Sequence, residues 1–600
     1  MEKQRDLSFW KLWNLSFGFF GVQIAYALQS SQVSRIFATI GADPHDLSYF
    51  WILPPLMGMI VQPIVGTASD RTWNRLGRRL PYLLVGALIA IVVMCFLPNA
   101  GSLGLGISQA IIFGLVMLML LDTTINMAMQ PFKMLVGDMV NEKQKGFAYS
   151  IQSFLCNAGS VVGYIAPLCL AFFLSNTAPA GEVPPTVTWA FYIGAIILLA
   201  CVVYTFATVK EMPPAEYAAF HGVKPEEKEQ KSNGGLLRIL ASAPKVFWTV
   251  GLVQFFCWAA FMYMWVYSTE AIANQAYDTP TVERVEGVTI DGKKYNDKYL
   301  FDGKMPVIMD GSLALAGVRV DGAFAEPSLV VLNGDTLISG GKVATVNGAP
   351  VIASHEGLRE LAASDHLEID GTVIEGAKRL ETVSRFAMVK PGTRLTLAHI
   401  ARLDEGTGEY LLDETSELPE ATTETMTINY HKVLNVASAE YQSAGNDTGL
   451  LFAIQGLVAV LWAIVLPMFR KRKVAYSLSL LIGGAGFASI FFCHDIVLLG
   501  IGYGLAGCAW AAMFAMPFTI LTNALSGNNI GTYLGLFNCT ICLPQIIASL
   551  LGGLILSIIP VTALGVPNAP AMLFVSGVLL CLGALAVWGI RETYGSEKSK

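Results

Sequence analysis

Charge is what this 600-residue chain has least of: Asp, Glu, Lys and Arg together make up only 14% of it. A soluble protein of this size carries roughly a quarter. With 54% hydrophobic side chains and a mean hydropathy of +0.54, that deficit excludes a disordered chain, a nucleic-acid binder and a cytoplasmic enzyme of ordinary composition. Cysteine is absent between residues 278 and 440, and the ten cysteines elsewhere form no metal-ligand set. Cys539 and Cys542 have C-x-x-C spacing without a second pair or a histidine nearby, so they read as small packing residues. The seven histidines avoid the interiors of the apolar runs. No nucleophile–base pair emerges, so neither an enzyme nor a cofactor nor a metal is expected. No cleavable leader is expected either, because the first apolar run is too long and lacks a cleavage site.

What the chain has instead is apolar length. A spanning helix needs about 20 mostly apolar residues. Such runs fall near 12–36, 47–68, 81–99, 104–130, 148–174 and 188–209, then near 246–272, 448–468, 474–493, 497–522, 531–558 and 570–590. The expected fold is an all-α polytopic membrane protein with twelve transmembrane helices in two six-helix bundles. The expected organisation is an N-terminal bundle over 1–210, a cytoplasmic loop over 211–245, helix 7 over 246–277, an insert over 278–440, and helices 8–12 with a short tail over 441–600.

The net charge of −6 averages two unlike parts. The insert holds 15 basic and 26 acidic residues, and the remainder 24 basic and 19 acidic. Of those 24, all but Arg35 fall on one side of the twelve-span layout, in clusters such as Arg75, Arg78 and Arg79 or Lys471, Arg472 and Lys473. Positive loops stay in the cytoplasm, so both termini are expected inside, at the inner (cytoplasmic) membrane, and the insert outside. Within the insert, period-two stretches end in turn dipeptides, as in Gly287-Val-Thr-Ile-Asp-Gly and Val343-Ala-Thr-Val-Asn-Gly. These read as β-hairpins, making the insert a β-rich extracytoplasmic domain between helices 7 and 8.

Span two runs into Gly66-Thr-Ala-Ser-Asp70-Arg71, followed by Gly77-Arg78-Arg79. This resembles the signature loop of the major facilitator superfamily, with Gly66 permitting close helix approach and Asp70 pairing or capping a helix end. Three more stretches narrow the resemblance: Gly21-Val-Gln-Ile-Ala-Tyr-Ala-Leu-Gln29, Val61-Gln-Pro-Ile-Val-Gly66 and Leu121-Asp-Thr-Thr-Ile-Asn126-Met-Ala-Met-Gln130-Pro131. They are similar to the sucrose/maltose transporter branch, related to the glycoside–pentoside–hexuronide:cation symporters. The resemblance covers the chain outside the insert, which has no counterpart there. It implies proton-coupled sugar symport, with the span-four aspartate, Asp122, as the coupling residue.

The residues themselves point the same way. Asp122 lies near the middle of its span, where a carboxylate is costly unless it faces a cavity or partner. Burial disfavours its charged form, which suits a group that loads and releases a proton. Paired span-two aspartates of the sodium-coupled relatives are missing, since Tyr49 to Ser69 holds no carboxylate, so sodium coupling is disfavoured. Sugar hydroxyls call for planar amides and the ring for an aromatic face. Candidates are Gln23, Tyr26 and Gln29 of span one, Asn126 and Gln130 of span four, Asn157 of span five, Gln254 and Trp258 of span seven, Gln455 of span eight and Asn538 of span eleven. Gln23, Tyr26 and Ser30 can share one helix face. Arg35 is the lone anion-binding candidate, or else pairs with a carboxyl near the outer mouth. Gly159 and Gly163 form a small-xxx-small pair suited to close packing.

The expected partners are a sugar, a proton and the lipid bilayer, with any periplasmic partner of the insert left open. An exporter of a drug or metabolite is the alternative, and a membrane sugar sensor is disfavoured because no cytoplasmic output domain is recognisable. Reporter fusions after residues 225 and 360 test the orientation. An export-dependent phosphatase should be active only at the second site, and a cytoplasm-dependent fluorophore only at the first. The reverse pattern would overturn it.

Overall fold

The computed structural model describes residues 6–104, 107–179, 181–213, 243–290, 426–469, 471–524 and 537–590, with shorter described stretches between 293 and 412. Most of the central loop (214–242) and the tail (591–600) lie outside the described residues, as do the side chains of Asp70, Arg71 and Gln130. The chain separates into two compact units. Unit 1 is Met1–Pro280, Leu434–Thr562 and Pro567–Lys600; unit 2 is Thr281–Val433 and Ala563–Val566.

Unit 1 is helical. Its first group is α1 (Phe9–Ile40), α2 (Leu53–Arg71), α3 (Leu80–Phe96), α4 (Ile107–Met139), α5 (Glu142–Leu170) and α6 (Pro185–Thr208). A one-turn helix, Leu47–Phe50, precedes α2. The second group is α7 (Lys245–Gln275), α8 (Ala439–Val465), α9 (Arg472–Ile490), α10 (Ile496–Ala524), α11 (Cys539–Ile558) and α12 (Ala569–Ala586). Packing is densest within each group, and α5 with α8, α2 with α11, and α1 with α7 join the two.

Among the described residues, eleven helices are long and apolar enough to cross a membrane. Sequence reading expected twelve, and α1 is the one that falls short on composition. The physical reason is its surroundings. Every residue from Gln29 to Ile40 is buried, including Gln29, Ser30, Ser31, Gln32, Ser34 and Arg35. Other helices, not lipid, enclose it, so it need not be apolar. The outward faces are the opposite: Ile64, Ile112, Phe154, Ile196, Leu461 and Val497 are exposed hydrophobics. Such surface is unsuited to water and fits a hydrocarbon solvent. The chain is a multi-pass membrane protein.

Small residues let these helices approach. A Cβ at Gly163 would lie 2.8 Å from Ala27 Cβ and from the Ile24 carbonyl oxygen, so α5 seats directly on α1. Without a hydrophobic drive between helices in lipid, such close backbone contact is a main source of packing energy.

The described strands of unit 2 pair antiparallel. One sheet runs Thr336–Gly340, Ala323–Asn333, Ser312–Val320, Arg379–Met388 and Gly357–Glu360, with Ile308–Met309 off that path on Ser312–Val320. Ile290 pairs with Lys293, Val320 with Ala323, Val346 with Ala349 and Ile369 with Thr372. Each two-residue gap falls on an Asp-Gly or Asn-Gly dipeptide of the sequence. Asn347 has φ 54, the left-handed conformation that such hairpins require and asparagine tolerates.

Replacing Gly163 by Val should separate α5 from α1. Overpacking of this kind costs about 1–3 kcal/mol. The thermal midpoint in detergent should fall, and an unchanged midpoint would show that the approach is not close.

Candidate functional site

The polar residues of α1 do not form one stripe; they fan out to four neighbours. Gln23 Oε1 accepts from Ser160 Oγ at 3.3 Å, and Ser30 Oγ lies 3.4 Å from Tyr164 Oη, both on α5. Tyr26, half-buried between them, is within electrostatic reach of Tyr164 and Asp122. Gln29 points to α4, Ser34 donates to the Trp265 carbonyl on α7 at 3.2 Å, and Arg35 reaches α8. Enclosure on all sides is how a helix with this much polarity is stabilised in lipid.

Asp122 is 2% exposed and makes one side-chain hydrogen bond, accepted at Oδ1 from Gln29 Nε2 at 2.7 Å. Its Oδ2 has no partner among the described residues, and neither does Gln29 Oε1. One turn on, Asn126 donates to the Asp122 carbonyl at 2.8 Å and accepts from Gln62 Nε2 at 2.7 Å. Asn126 thus ties α4 to α2 and sets the height of Asp122. Sequence reasoning missed Gln62; the signal was an amide beside Pro63 in an apolar helix.

A second cluster gathers on α7. Trp258 stands edge-on to Phe514 at 5.5 Å and Trp510 at 6.0 Å, and Trp265 stacks on Trp51 at 6.2 Å. Gln254 donates to the Met513 carbonyl at 3.3 Å. Here too two buried atoms are unpartnered among the described residues, Gln254 Oε1 and Trp258 Nε1. Buried polar atoms without partners are rare in folded proteins, and each calls for an explanation.

Other candidates fall outside these clusters. Asn157 is half-buried and donates to Ser153 of its own helix at 2.8 Å. Gln455 is buried, with its carbonyl against Gly507. Asn538 sits at the start of α11 without a side-chain cap bond. No hydrogen bond among the described residues joins these three to Asp122 or Trp258. The side chain of Gln130 lies outside the described residues.

The α2–α3 loop is a charge-organised turn. Gly77 has φ +112, a conformation glycine alone adopts without strain, and a Cβ there would lie 2.6 Å from Glu211 Oε1. The Glu211 carboxylate accepts from the backbone N–H groups of Arg78 (2.9 Å), Arg79 (2.7 Å) and Leu80 (2.7 Å). These are the free donors at the start of α3, where negative charge is favoured. Arg78 and Arg79 both reach Asp138 Oδ2, at 2.6 and 3.0 Å, and Arg79 donates to Ser69 Oγ at 2.5 Å. Glu211 and Asp138 were not legible as partners, because both are distant in sequence.

Two expectations are corrected. Gly66 makes no close approach to another helix among the described residues: apart from its own helix's backbone, none of their atoms lies within 4 Å of where its Cβ would be. Its helix is held at this level by the Arg79–Ser69 bond rather than by glycine contact. Arg35 pairs with no carboxylate among the described residues; its partners are amides, because the helix facing it presents Gln442 and Asn446 there.

The family described as MFS/sugar transport protein matches residues 33–276, ending where the acidic segment begins. Sucrose transport protein SUT1 of Oryza sativa subsp. japonica is 28% identical over 278 residues, covering 43% of this chain and 52% of its own. Sucrose transport protein SUC3 of Arabidopsis thaliana is 27% identical, covering 32% and 36%. Proton-associated sugar transporter A of Rattus norvegicus is 24% identical, covering 34% and 28%. The chain thus spans about half, or less, of the length of the curated relatives it matches. A D-xylose-proton symporter structure aligns with TM-score 0.52 at 12% identity over 98% of both chains. A nucleoside transporter NupG structure aligns with TM-score 0.53 at 10% identity, over 97% of this chain and 99% of its own. These two share the fold.

Glu211→Ala removes the acceptor for three backbone donors. Hydrogen bonds to charged groups contribute about 1.5–3 kcal/mol, so the thermal midpoint should fall measurably. Glu211→Gln should recover part of the loss. A midpoint that ignores both changes would overturn the capping role.

Proposed function

We propose that this chain is a major facilitator superfamily carrier, a proton-coupled symporter of a di- or oligosaccharide working by alternating access. The observation that carries this is that, of the buried atoms unpartnered among the described residues, four gather in two clusters: Asp122 Oδ2 and Gln29 Oε1 in one, Gln254 Oε1 and Trp258 Nε1 in the other. Together they offer acceptors and a donor. A polyhydroxylated neutral solute satisfies both kinds, whereas an anion needs cations and a lipophilic drug leaves the atoms unpaired. The indole and phenyl rings around Trp258 supply the apolar face that sugar C–H groups require. The names of the sucrose transport and proton-associated sugar transporter relatives support the same class.

In this reading α1 is the twelfth span and the helices form two six-helix bundles. The insert 278–440 is a β-rich extracytoplasmic domain, and both termini face the cytoplasm at the inner membrane. Asp122 takes a proton on Oδ2 while Gln29 holds Oδ1. Neutral, the carboxyl donates where the carboxylate only accepts, so solute and proton each favour the other's binding. Coupled movement requires that the doubly loaded state prefer the opposite-facing conformer.

Proteoliposomes with an imposed pH gradient test this against a panel of labelled sugars. Accumulation should collapse with a protonophore. Asp122→Asn should retain sugar exchange and lose accumulation against a gradient, and Trp258→Ala should weaken apparent affinity at least about tenfold, the effect of losing about 1.4 kcal/mol of ring contact. Gradient-driven uptake by Asp122→Asn equal to the parent would remove Asp122 from the coupling.

A further inference from the structure

Arg35 is fully buried, and the network around it is built from three segments. Its Nε donates to Gln442 Oε1 at 2.7 Å, and Nη1 to Asn446 Oδ1 at 2.8 Å and Gln32 Oε1 at 3.1 Å. Nη2 donates to Asn176 Oδ1 at 3.1 Å. Arg35 and Gln32 belong to α1, Asn176 to the α5–α6 connection, and Gln442 and Asn446 to successive turns of α8. The guanidinium therefore joins the two helix groups. The amides are themselves fixed: Gln442 Nε2 donates to Thr39 at 3.2 Å, and Asn446 Nδ2 to Asn176 Oδ1 at 3.0 Å.

The facing helix is cut to fit. Between Gln442 and Asn446 lies Gly445, where a Cβ would sit 2.5 Å from Arg35 Nε and 2.8 Å from Cζ. One turn further on, a Cβ at Gly449 would collide with the Tyr164 carbonyl of α5. Two glycines four apart thus bring α8 against both α1 and α5.

We infer that Arg35 is a clamp closing the outer side of the carrier, engaged in this conformation and released when the two helix groups part there. The inference rests on the alternating-access reading. Its chemistry is suited to repeated opening. The hydrogen-bond partners of this buried guanidinium among the described residues are all neutral amides, so water entering on opening replaces most of what is lost. A carboxylate partner would hold far more tightly and slow each cycle. Five donors in a fixed fork engage several oxygens at once, which a lysine ammonium does not reproduce.

Hydrogen-exchange mass spectrometry of the full chain in lipid nanodiscs tests this on Arg35→Gln, Arg35→Lys and Gly445→Ala. Gly445→Ala leaves the arginine in place and obstructs its seat, so it separates release of the clamp from loss of the residue. All three should speed exchange at residues 36–46 and 436–446, by about tenfold for Arg35→Gln, and slow it near 136–146 at the opposite end. Unchanged exchange at 36–46 and 436–446 overturns the clamp, and so does faster exchange at both ends, which marks general loosening. If sugar flux is absent from the parent protein while the opposed changes occur, the transport reading falls and the clamp stands. If Asp122→Asn abolishes accumulation while these variants exchange as the parent does, the clamp falls and the transport reading stands.

Discussion

A buried polar atom in a hydrocarbon-solvated protein must find its partner inside the protein, and the organisation of unit 1 follows from that constraint acting on α1. This one helix carries Gln23, Gln29, Ser30, Gln32, Ser34 and Arg35. No single neighbour can satisfy such a set, because the residues point in different directions around a 3.6-residue turn. Helices from both groups therefore surround it: α5 takes Gln23 and Ser30, α4 takes Gln29, α7 takes Ser34 and α8 takes Arg35. Lipid contact is left to helices with apolar outer faces, such as α6 with its exposed Ile196.

The same constraint separates polarity satisfied within the protein from polarity left without a partner among the described residues. Asn157 resolves its demand within its own helix, as does Gln545, which donates to Ile541 at 3.1 Å. Asp122, Gln29, Gln254 and Trp258 each keep one atom unresolved among the described residues. Retaining such atoms costs stability, on the order of 1–3 kcal/mol for each. They divide between α1 and α4 on one side and α7 on the other, so the unmet polar demand falls on both helix groups.

Much of this was legible from residue patterns. Eleven of the twelve apolar runs became candidate spans, and the Asp-Gly and Asn-Gly dipeptides mark where the strands of unit 2 turn back. The Asp122–Asn126 spacing announced a polar helix face, and the tie between those residues exists, though it runs to the Asp122 carbonyl rather than to its carboxyl. Less legible was anything depending on which helix faces which. The similar composition of many amides across the spans gave no means of ranking Gln29 above Asn157. Glycine was ambiguous for the same reason: Gly163 meets a neighbour and Gly66 does not.

Local chemistry along the chain therefore decided the solvent of each segment, the identity and approximate bounds of the helices, and which residue types were too costly to be idle. Those properties depend on runs and spacings, which a linear reading contains. Tertiary structure alone decided that Arg35 would meet amides rather than a carboxylate, that Glu211 would cap a helix more than 130 residues away, and that Asp122 Oδ2, Gln29 Oε1, Gln254 Oε1 and Trp258 Nε1 would be among the buried atoms left unpaired within the described residues. A hydrogen bond reaches only about 3 Å. Whether two such groups come within that range is set by helix rotation and packing, for which a single sequence carries no direct signal.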